Sequence, residues 1–165
     1  MVATLSATVA ATCTVTEILD NTPFATSAHK QVIHDMLNQS LTLTTGGSVP
    51  ITVIAAFNQA LTVGAATIDF TSLTGTNGAT VSGSGLKLQV AIFLAKSTNA
   101  NALKIANGTS NGYNGWGSDF AVTLDAAQWV MLYGKDLEAD VDGTHKTLTL
   151  SGTGSQSVDV LLLFG

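Results

Sequence analysis

The sequence predicts an all-β protein: an antiparallel β-sandwich, jelly-roll-like in form, with little or no helix. Its dominant pattern is an alternation of apolar and polar residues, as in a strand with one buried face. Turns rich in Gly and Asn separate the alternating stretches, and no stretch has the spacing of strand–helix–strand units. Many short strands joined by such turns are typical of a sandwich.

The clearest alternation lies in LKLQVAIFLAK, residues 86–96. ATIDFTSL, DFAVTL and KTLTL alternate in the same way, and we expect roughly eight to ten strands in all. QWVMLY and SVDVLLLF are apolar at successive positions, as expected of strands covered on both faces or lying in a subunit contact. Only SAHKQVIHDMLNQ fits a short helix, and a strand fits it about as well. In residues 86–96 the expected core face carries Leu86, Leu88, Val90, Ile92 and Leu94.

The composition indicates one globular domain that associates with other subunits. A chain of 165 residues suits a single domain, residues 1–165, in which residues 1–16 form an extended N-terminal arm or an edge strand. Only 10% of the residues are charged, against about a quarter in ordinary soluble domains. The hydrophobic share is 45% and the mean hydropathy is +0.36, yet no run of about 20 apolar residues could span a membrane. A surface so poor in charge suits burial against neighbouring copies.

The charge balance argues against nucleic acids and anionic membranes as partners. The net charge is −5, and the six lysines, with no arginine beside them, are scattered singly along the chain. Phosphate binding relies on clustered cations, so neither partner is expected. The first residues lack the basic segment of a secretory signal, and we expect them to belong to the mature protein. Cys13 is the one cysteine, so the chain cannot form an internal disulfide or a Cys-based zinc site.

The densest group of acids lies in GKDLEADVDGTHK, residues 134–146. Glu138, Asp140 and Asp142, followed by a glycine, resemble the first half of an EF-hand calcium loop. The second half is missing, because the bidentate acid expected at position twelve falls on Thr149 and the flanking segments are strand-like. The sequence therefore favours a solvated turn, with these three acids as a weak calcium candidate and no metal or other cofactor expected.

GTSNG, residues 108–112, matches the G-x-S-x-G pattern of a hydrolase nucleophile, with Ser110 at the centre and His145 further along the chain. That motif needs a helix directly after the serine, and the glycines at 112, 115 and 117 prevent one. No acid, base or nucleophile set remains in a suitable context. We therefore expect no catalytic residues and no enzyme activity.

The loop NGYNGWGSDF carries Tyr113 and Trp116 among glycines. Exposed aromatic residues on loops are frequent contact sites, because they bury much area at a small cost in entropy. An equally good alternative is that the loop folds back and Trp116 caps the sandwich. Both alternatives stay open at the level of the sequence, with Tyr113 and Trp116 as candidate interaction residues.

From about residue 50 onward the chain resembles a family of small β-sandwich virion structural proteins of tailed bacteriophages and prophages. The resemblance rests on strand and turn motifs that follow each other in the order TIDFTSL, GTNGA, GLKLQ, NANALKI, NGTSNGY and GTGSQ. These motifs occupy residues 67–73, 75–79, 85–89, 99–105, 107–113 and 152–156. They share no chemical group, so no functional residue follows from the resemblance.

The resemblance implies a non-enzymatic virion protein, a capsid-decoration or other head- or tail-associated subunit assembled in the cytoplasm of a bacterial host. Its implied partners are copies of itself, often as a homotrimer, and the major capsid protein or another virion protein. The alternative is a carbohydrate- or surface-binding β-sandwich module, such as a fibre tip. In that alternative Tyr113 and Trp116 stack on sugar rings and the acidic turn binds Ca²⁺.

Overall fold

The computed structural model describes residues 4–18, 31–34, 38–134 and 139–165, and these residues form strands, turns and loops without a helix. None of the described residues therefore belongs to a helix long and apolar enough to cross a bilayer. The strands are β1 Ser6–Ala11, β2 Val15–Ile18, β3 Gln31–His34, β4 Gln39–Thr44, β5 Val53–Ala60, β6 Ala65–Asp69, β7 Leu73–Thr74, β8 Thr80–Val81, β9 Leu88–Ala95, β10 Leu103–Asn107, β11 Ala121–Leu124, β12 Trp129–Tyr133, β13 Thr147–Ser151 and β14 Ser157–Phe164.

Two four-stranded antiparallel sheets form a β-sandwich. One has the strand order β12-β9-β14-β5 and the other β11-β10-β13-β6. Their facing sides supply one continuous apolar core. The all-β antiparallel sandwich predicted by the sequence is confirmed.

The sandwich strands pair in a nested order along the chain. The first, β5, pairs with the last, β14, and the second, β6, pairs with the seventh, β13. The third and sixth, β9 and β12, also pair, as do the fourth and fifth, β10 and β11. This order is compatible with the jelly roll that the sequence predicts, and that finer form stays a prediction. A small hairpin, β7 with β8, is inserted between β6 and β9.

The core is built on aromatic residues from strands and loops far apart in sequence. Phe70, directly after β6, lies edge-on to Tyr113 at 5.2 Å and to Phe164 of β14 at 5.5 Å between ring centroids. All three side chains are fully buried. Each such burial contributes about 1.5–3 kcal/mol, and edge-to-face contacts add to this.

The core face expected for residues 86–96 is wrong for most of β9. The residues that join the core cluster from the body of the strand are Ala91, Phe93 and Ala95, whereas Leu94 is 40% exposed. The reason is an irregularity in the pairing of β9 with β14. Leu163 pairs with Val90, but the next residue, Phe164, pairs with Leu88, so the register skips one residue near the start of β9. An extra residue in a strand reverses the face of every side chain beyond it. Leu88, before the irregularity, therefore shares the core with Ala91, Phe93 and Ala95, while Val90, Ile92 and Leu94 lie on the opposite face.

The chain divides into two compact units, Ser6–Leu43 and the rest, which comprises Met1–Leu5 with Thr44–Gly165. The second of these contains the sandwich. The prediction of a single domain over residues 1–165 stays a prediction.

The described part of the unit Ser6–Leu43 contains nested strand pairs: β1 pairs with β4, and between them β2 pairs antiparallel with β3. We call its described strands the ribbon. Within residues 6–17, 33 and 38–43 of the ribbon, one side chain, that of Leu43, is buried, and those of Ala7 and Val9 are half-buried. In the segment 1–16, expected to be an arm or edge strand, β1 is thus a strand paired within its own chain. Residues 19–30 and 35–37, which include most of the possible short helix, lie outside the described residues, whereas 31–34 form a strand.

Candidate functional sites

In the acidic turn, Asp142 binds the backbone that follows it. Its Oδ1 accepts hydrogen bonds from the backbone N–H groups of Thr144 at 2.6 Å and His145 at 2.7 Å, and Nδ1 of His145 lies 3.2 Å from its Oδ2. These bonds, above all the one from the Thr144 backbone, hold the pKa of Asp142 far below its ordinary value. The carboxylate therefore closes a local turn, as the turn alternative expects.

Asp140 has a different partner in the same stretch. Its carboxylate lies 2.9 Å from the Nζ of Lys87, and the two residues also form an isolated antiparallel bridge. Glu138, the third calcium candidate, lies outside the described residues, as does Asp136. Within the described ranges no group of three His, Cys, Asp or Glu side chains is arranged to hold a metal ion. The two described candidates are thus engaged with protein groups, and calcium binding by Glu138, Asp140 and Asp142 stays a prediction.

The loop that carries the serine motif is fixed to the start of β13. The hydroxyl of Thr147 lies 2.6 Å from the carbonyl oxygen of Ser110, and the carbonyl of Thr147 accepts hydrogen bonds from Gly108 and Tyr113. A Cβ at Gly108 would lie 1.9 Å from the Thr147 hydroxyl, so only glycine fits. Turn residues follow Ser110, and Asn111 has a φ of 53°, so this segment lacks the helix that a nucleophile elbow requires.

The aromatic loop folds back on the sandwich, which is the capping alternative. Tyr113 is 0% exposed, and its hydroxyl donates a hydrogen bond to the carbonyl of Ala139 at 2.9 Å. Trp116 is half-buried and packs edge-on against Tyr113, with 5.6 Å between ring centroids, and its ring is tilted against that of Phe120 at 4.9 Å. Tyr113 is therefore a core residue, because Phe70 and Ala139, distant in sequence, provide its ring contact and its hydrogen-bond acceptor.

Asn107 fixes the same loop from β10. Its side-chain Nδ2 donates to the carbonyls of Gly117 at 2.7 Å and Ser118 at 3.0 Å. In the folded protein this nitrogen is engaged inside the chain, although Asn107-Gly108-Thr109 has the form of a glycosylation sequon.

The sheet β12-β9-β14-β5 has an apolar side that faces away from the core. Residues on this side alternate with the core residues of the same strands, and the strand register aligns them in three rows. We call these rows the outer face. The first row contains Trp129, Leu94, Asp159 and Asn58, the second contains Met131, Ile92, Leu161 and Ala56, and the third contains Tyr133, Val90, Leu163 and Ile54.

Exposure differs along the outer face. Val90 and Leu163 in the third row are buried, the second row is half-buried, and in the first row Trp129 is 64% exposed. A hollow of about 290 Å³ lies beside Trp129's neighbour Leu94, and Ala127 lines it. The sequence indicated that both faces of QWVMLY are covered but did not single out Trp129, because a strand that is apolar on both faces does not show which face the core leaves open.

No protein-family model matches the chain, and no curated protein has a similar sequence.

Proposed function

We propose that the chain is a non-enzymatic structural subunit of a virion that assembles with copies of itself, as a capsid-decoration or other head- or tail-associated protein. The observation that carries the assembly is the ribbon. Its described side chains are almost all exposed, and they include the large apolar residues Val15, Ile33 and Leu41. The place in a virion rests on the resemblance of the strand and turn motifs.

Two-stranded sheets are at best marginally stable in water unless they pack against another surface. The described pairs β1–β4 and β2–β3 bury few of their own side chains, so folding alone supplies little apolar burial to offset the entropy lost on ordering them. Association with neighbouring copies supplies the missing burial. A trimer is the favoured assembly, and a major capsid protein or another virion protein is the partner beyond it.

The low charge of the chain supports the same function. Three acids of the described residues, Asp69, Asp140 and Asp159, form ion pairs with Lys146, Lys87 and Lys96. Paired charges reduce the repulsion between copies that a net charge of −5 would otherwise produce. Nucleic acid and membrane are not partners in this proposal.

Light scattering behind a sizing column tests the assembly. The expected mass is a multiple of 16.9 kDa, with three copies favoured. The thiol of Cys13, exposed in the single chain and located between β1 and β2, gives a second readout. We expect a maleimide to label it more slowly in the assembled protein than in a dilute sample. A monomer at all concentrations up to the millimolar range would contradict the assembly.

Purified particles test the place in the virion. Particles released from the producing bacterium and banded on a density gradient are expected to contain the chain in a fixed ratio to the major capsid protein, measured by quantitative mass spectrometry. Absence of the chain from such particles, with the chain present in the soluble fraction, would contradict a virion role.

The carbohydrate-binding alternative loses the two stacking residues expected for it, since Tyr113 is buried and Trp116 is half-buried against it. Glycan-array screening with and without a chelator still separates the alternatives. Calcium-dependent binding of a glycan would favour the carbohydrate-binding module over the assembly subunit.

A further inference from the structure

We propose that the outer face of the sheet β12-β9-β14-β5 is the surface through which one copy of the chain binds a second copy, with Trp129 as the anchor. The proposal rests on the proposed function, because it names a contact that the assembly uses in addition to the ribbon. It is carried by the shape, the charge and the extent of this face.

The open part of the outer face is a continuous apolar surface. Met131, Ile92 and Leu161 form a half-buried second row across three adjacent strands. Trp129 and Leu94 are direct cross-strand neighbours in the first row, and both are exposed. Monomeric proteins rarely leave a large contiguous apolar patch open to water, and tryptophan is among the residues that most often anchor interfaces.

The charges on the face are neutralised within it. Asp159 is the acid of the first row, and its carboxylate contacts Nζ of Lys96 and accepts a hydrogen bond from Asn58 at 3.0 Å. A chain with a net charge of −5 repels its copies unless the contact surface carries few unpaired acids. The outer face meets this condition, so it can approach a second copy without facing like charges.

The face also carries a projection and a recess side by side. Trp129 projects with 64% of its surface exposed, and the hollow of about 290 Å³ lies next to its neighbour Leu94. Ala127, Lys96 and Asp159 are among the residues that line the hollow. The projection of one copy can therefore enter the recess of another. Because the projection and the recess are different surfaces, such a contact is heterologous, and heterologous contacts can close into a ring. This geometry favours a second copy over an unrelated partner.

The size of the face is adequate for the core of an interface. Four strands about 4.8 Å apart, with the open first and second rows spanning about four residues of each strand at about 3.3 Å each, outline about 250 Å² before the relief of the side chains is counted. A standard interface buries about 800 Å² on each partner, of which the polar rim is a part. Asn58 and the Lys96–Asp159 pair stand where such a rim would lie.

Charge insertion at the exposed positions tests the proposal. We expect Trp129→Glu and Leu94→Glu each to weaken self-association by about thirtyfold or more, as for residues that anchor an interface. Sedimentation velocity over a concentration series gives the dissociation constant. The matched control is Thr123→Glu, an exposed position on β11 in the opposite sheet, which is expected to keep the wild-type constant.

Folding of each variant is checked by circular dichroism and urea unfolding, and Trp129→Ala serves if a glutamate variant fails to fold. Folded Trp129 and Leu94 variants that keep the wild-type assembly would overturn the proposal and leave the proposed function standing. A wild-type chain that stays monomeric at every concentration would overturn both. Loss of assembly in Thr123→Glu to the same extent would also overturn the assignment to this face.

Trp129 itself provides an independent readout. The chain has two tryptophans, so in Trp116→Phe the tryptophan fluorescence, excited selectively over that of the tyrosines, comes from Trp129 alone. We expect its emission to shift to shorter wavelength and its quenching by acrylamide to fall at least twofold as the concentration rises through the dissociation constant. Unchanged quenching in an assembled sample would overturn the proposal. Quenching that falls only when a glycan is added would do the same, since it would make the face a carbohydrate site.

Discussion

At the scale of single residues, Tyr113 shows how one side chain joins a loop to the sandwich. Its ring contacts Phe70 and Trp116, and its hydroxyl donates a hydrogen bond to the carbonyl of Ala139, which lies within the acidic stretch 134–146. Gly115 makes room for it, because a Cβ there would lie 2.6 Å from the Tyr113 hydroxyl. One buried phenol therefore connects two loops that are distant in sequence.

We expect Tyr113→Phe to lower the free energy of unfolding by about 1–2 kcal/mol, because the Ala139 carbonyl loses its donor while the ring contacts remain. Urea unfolding measures the change. Tyr113→Ala, which also removes the ring, is expected to cost about 3–5 kcal/mol. Equal stability of the phenylalanine variant and the wild type would show that the hydroxyl does not stabilise the fold.

The inverted face of β9 shows what the sequence could not supply at this scale. Leu94 and Phe93 are both large and apolar, so the sequence alone does not decide which face of the strand points to the core. The more regular set of apolar residues is then chosen as the core face. The irregularity between Val90 and Leu88 decides the choice, and it depends on the pairing of β9 with β14, which lies far away in the sequence. Local patterns identify the strand but not this register.

At the scale of elements, the connection from β5 in one sheet to β6 in the other contains a strained two-residue turn. Thr62 and Ala65 exchange backbone hydrogen bonds, and the two residues between them have positive φ, 52° for Val63 and 78° for Gly64. Two-residue hairpin turns of this kind favour Asn-Gly, and a β-branched residue at positive φ is an outlier. Val63 is also 98% exposed, so its side chain gains almost no burial in return.

We expect Val63→Asn to raise the free energy of unfolding by about 1 kcal/mol, because asparagine adopts positive φ at a lower cost. Thermal and urea unfolding measure the change. The matched control is Val15→Asn. Val15 is an exposed valine within β2 whose φ is not positive, so we expect no gain in the free energy of unfolding. A Val63→Asn variant less stable than the wild type would mean that the valine makes a contact that compensates for the strain.

The acidic turn gives a prediction about metal removal. Asp142 is engaged by the backbone of Thr144 and His145, and Asp140 by Lys87, so neither carboxylate is left without a protein partner. We expect the melting temperature to stay within about 1 °C between excess chelator and millimolar Ca²⁺, because a ligand stabilises only by binding the folded state. Differential scanning calorimetry makes the measurement. A rise of several degrees with Ca²⁺ would establish the calcium loop instead.

Alternation predicted most elements well, since the structure has strands at ATIDFTSL, DFAVTL, KTLTL and residues 86–96. The candidate sites were harder to predict. Tyr113 and Trp116 stood out as aromatics among glycines, but the partners that bury Tyr113 come from other parts of the chain. Trp129 was hidden in a segment apolar on both sides, because the sequence does not show which side the core already covers.

At the scale of the whole molecule, three carboxylates have lowered pKa values, and all three make the folded protein less stable in acid. The pKa values of Asp69, Asp142 and Asp159 all lie below the ordinary value of 3.8. For Asp69 burial acts to raise the pKa, and the hydrogen bonds from Thr71 and Lys146 outweigh it. Lys96 is the main cause for Asp159, with a further contribution from Asn58.

Because these pKa values are lower in the folded state, their contribution to stability is present above the unfolded value and is lost as the pH falls through the folded values. We therefore expect the free energy of unfolding to fall steadily below about pH 4. Urea unfolding from pH 7 to pH 2 makes the measurement. Asp69→Asn is expected to reduce this slope and to cost up to about 1 kcal/mol at pH 7, since its pair with Lys146 is partly exposed.

The control for this prediction is Asp119→Asn, an exposed position in the loop before β11, which is expected to keep the wild-type stability at pH 7. A wild-type stability that rises on acidification would contradict the prediction. So would an Asp69→Asn variant with a steeper acid slope than the wild type.

The nested order of the sandwich strands has a consequence for how the chain reaches its native state. β14 lies between β9 and β5 in the middle of its sheet, and Val53 pairs with Phe164 across more than a hundred residues. Until β14 leaves the ribosome, β5 has no neighbour in its sheet and the apolar edges of β5 and β9 are unpaired. Such long-range closure is slow, and unpaired strand edges attract other chains. We therefore expect the nascent chain to be prone to aggregation and to need chaperones during synthesis, because of where this one strand lies.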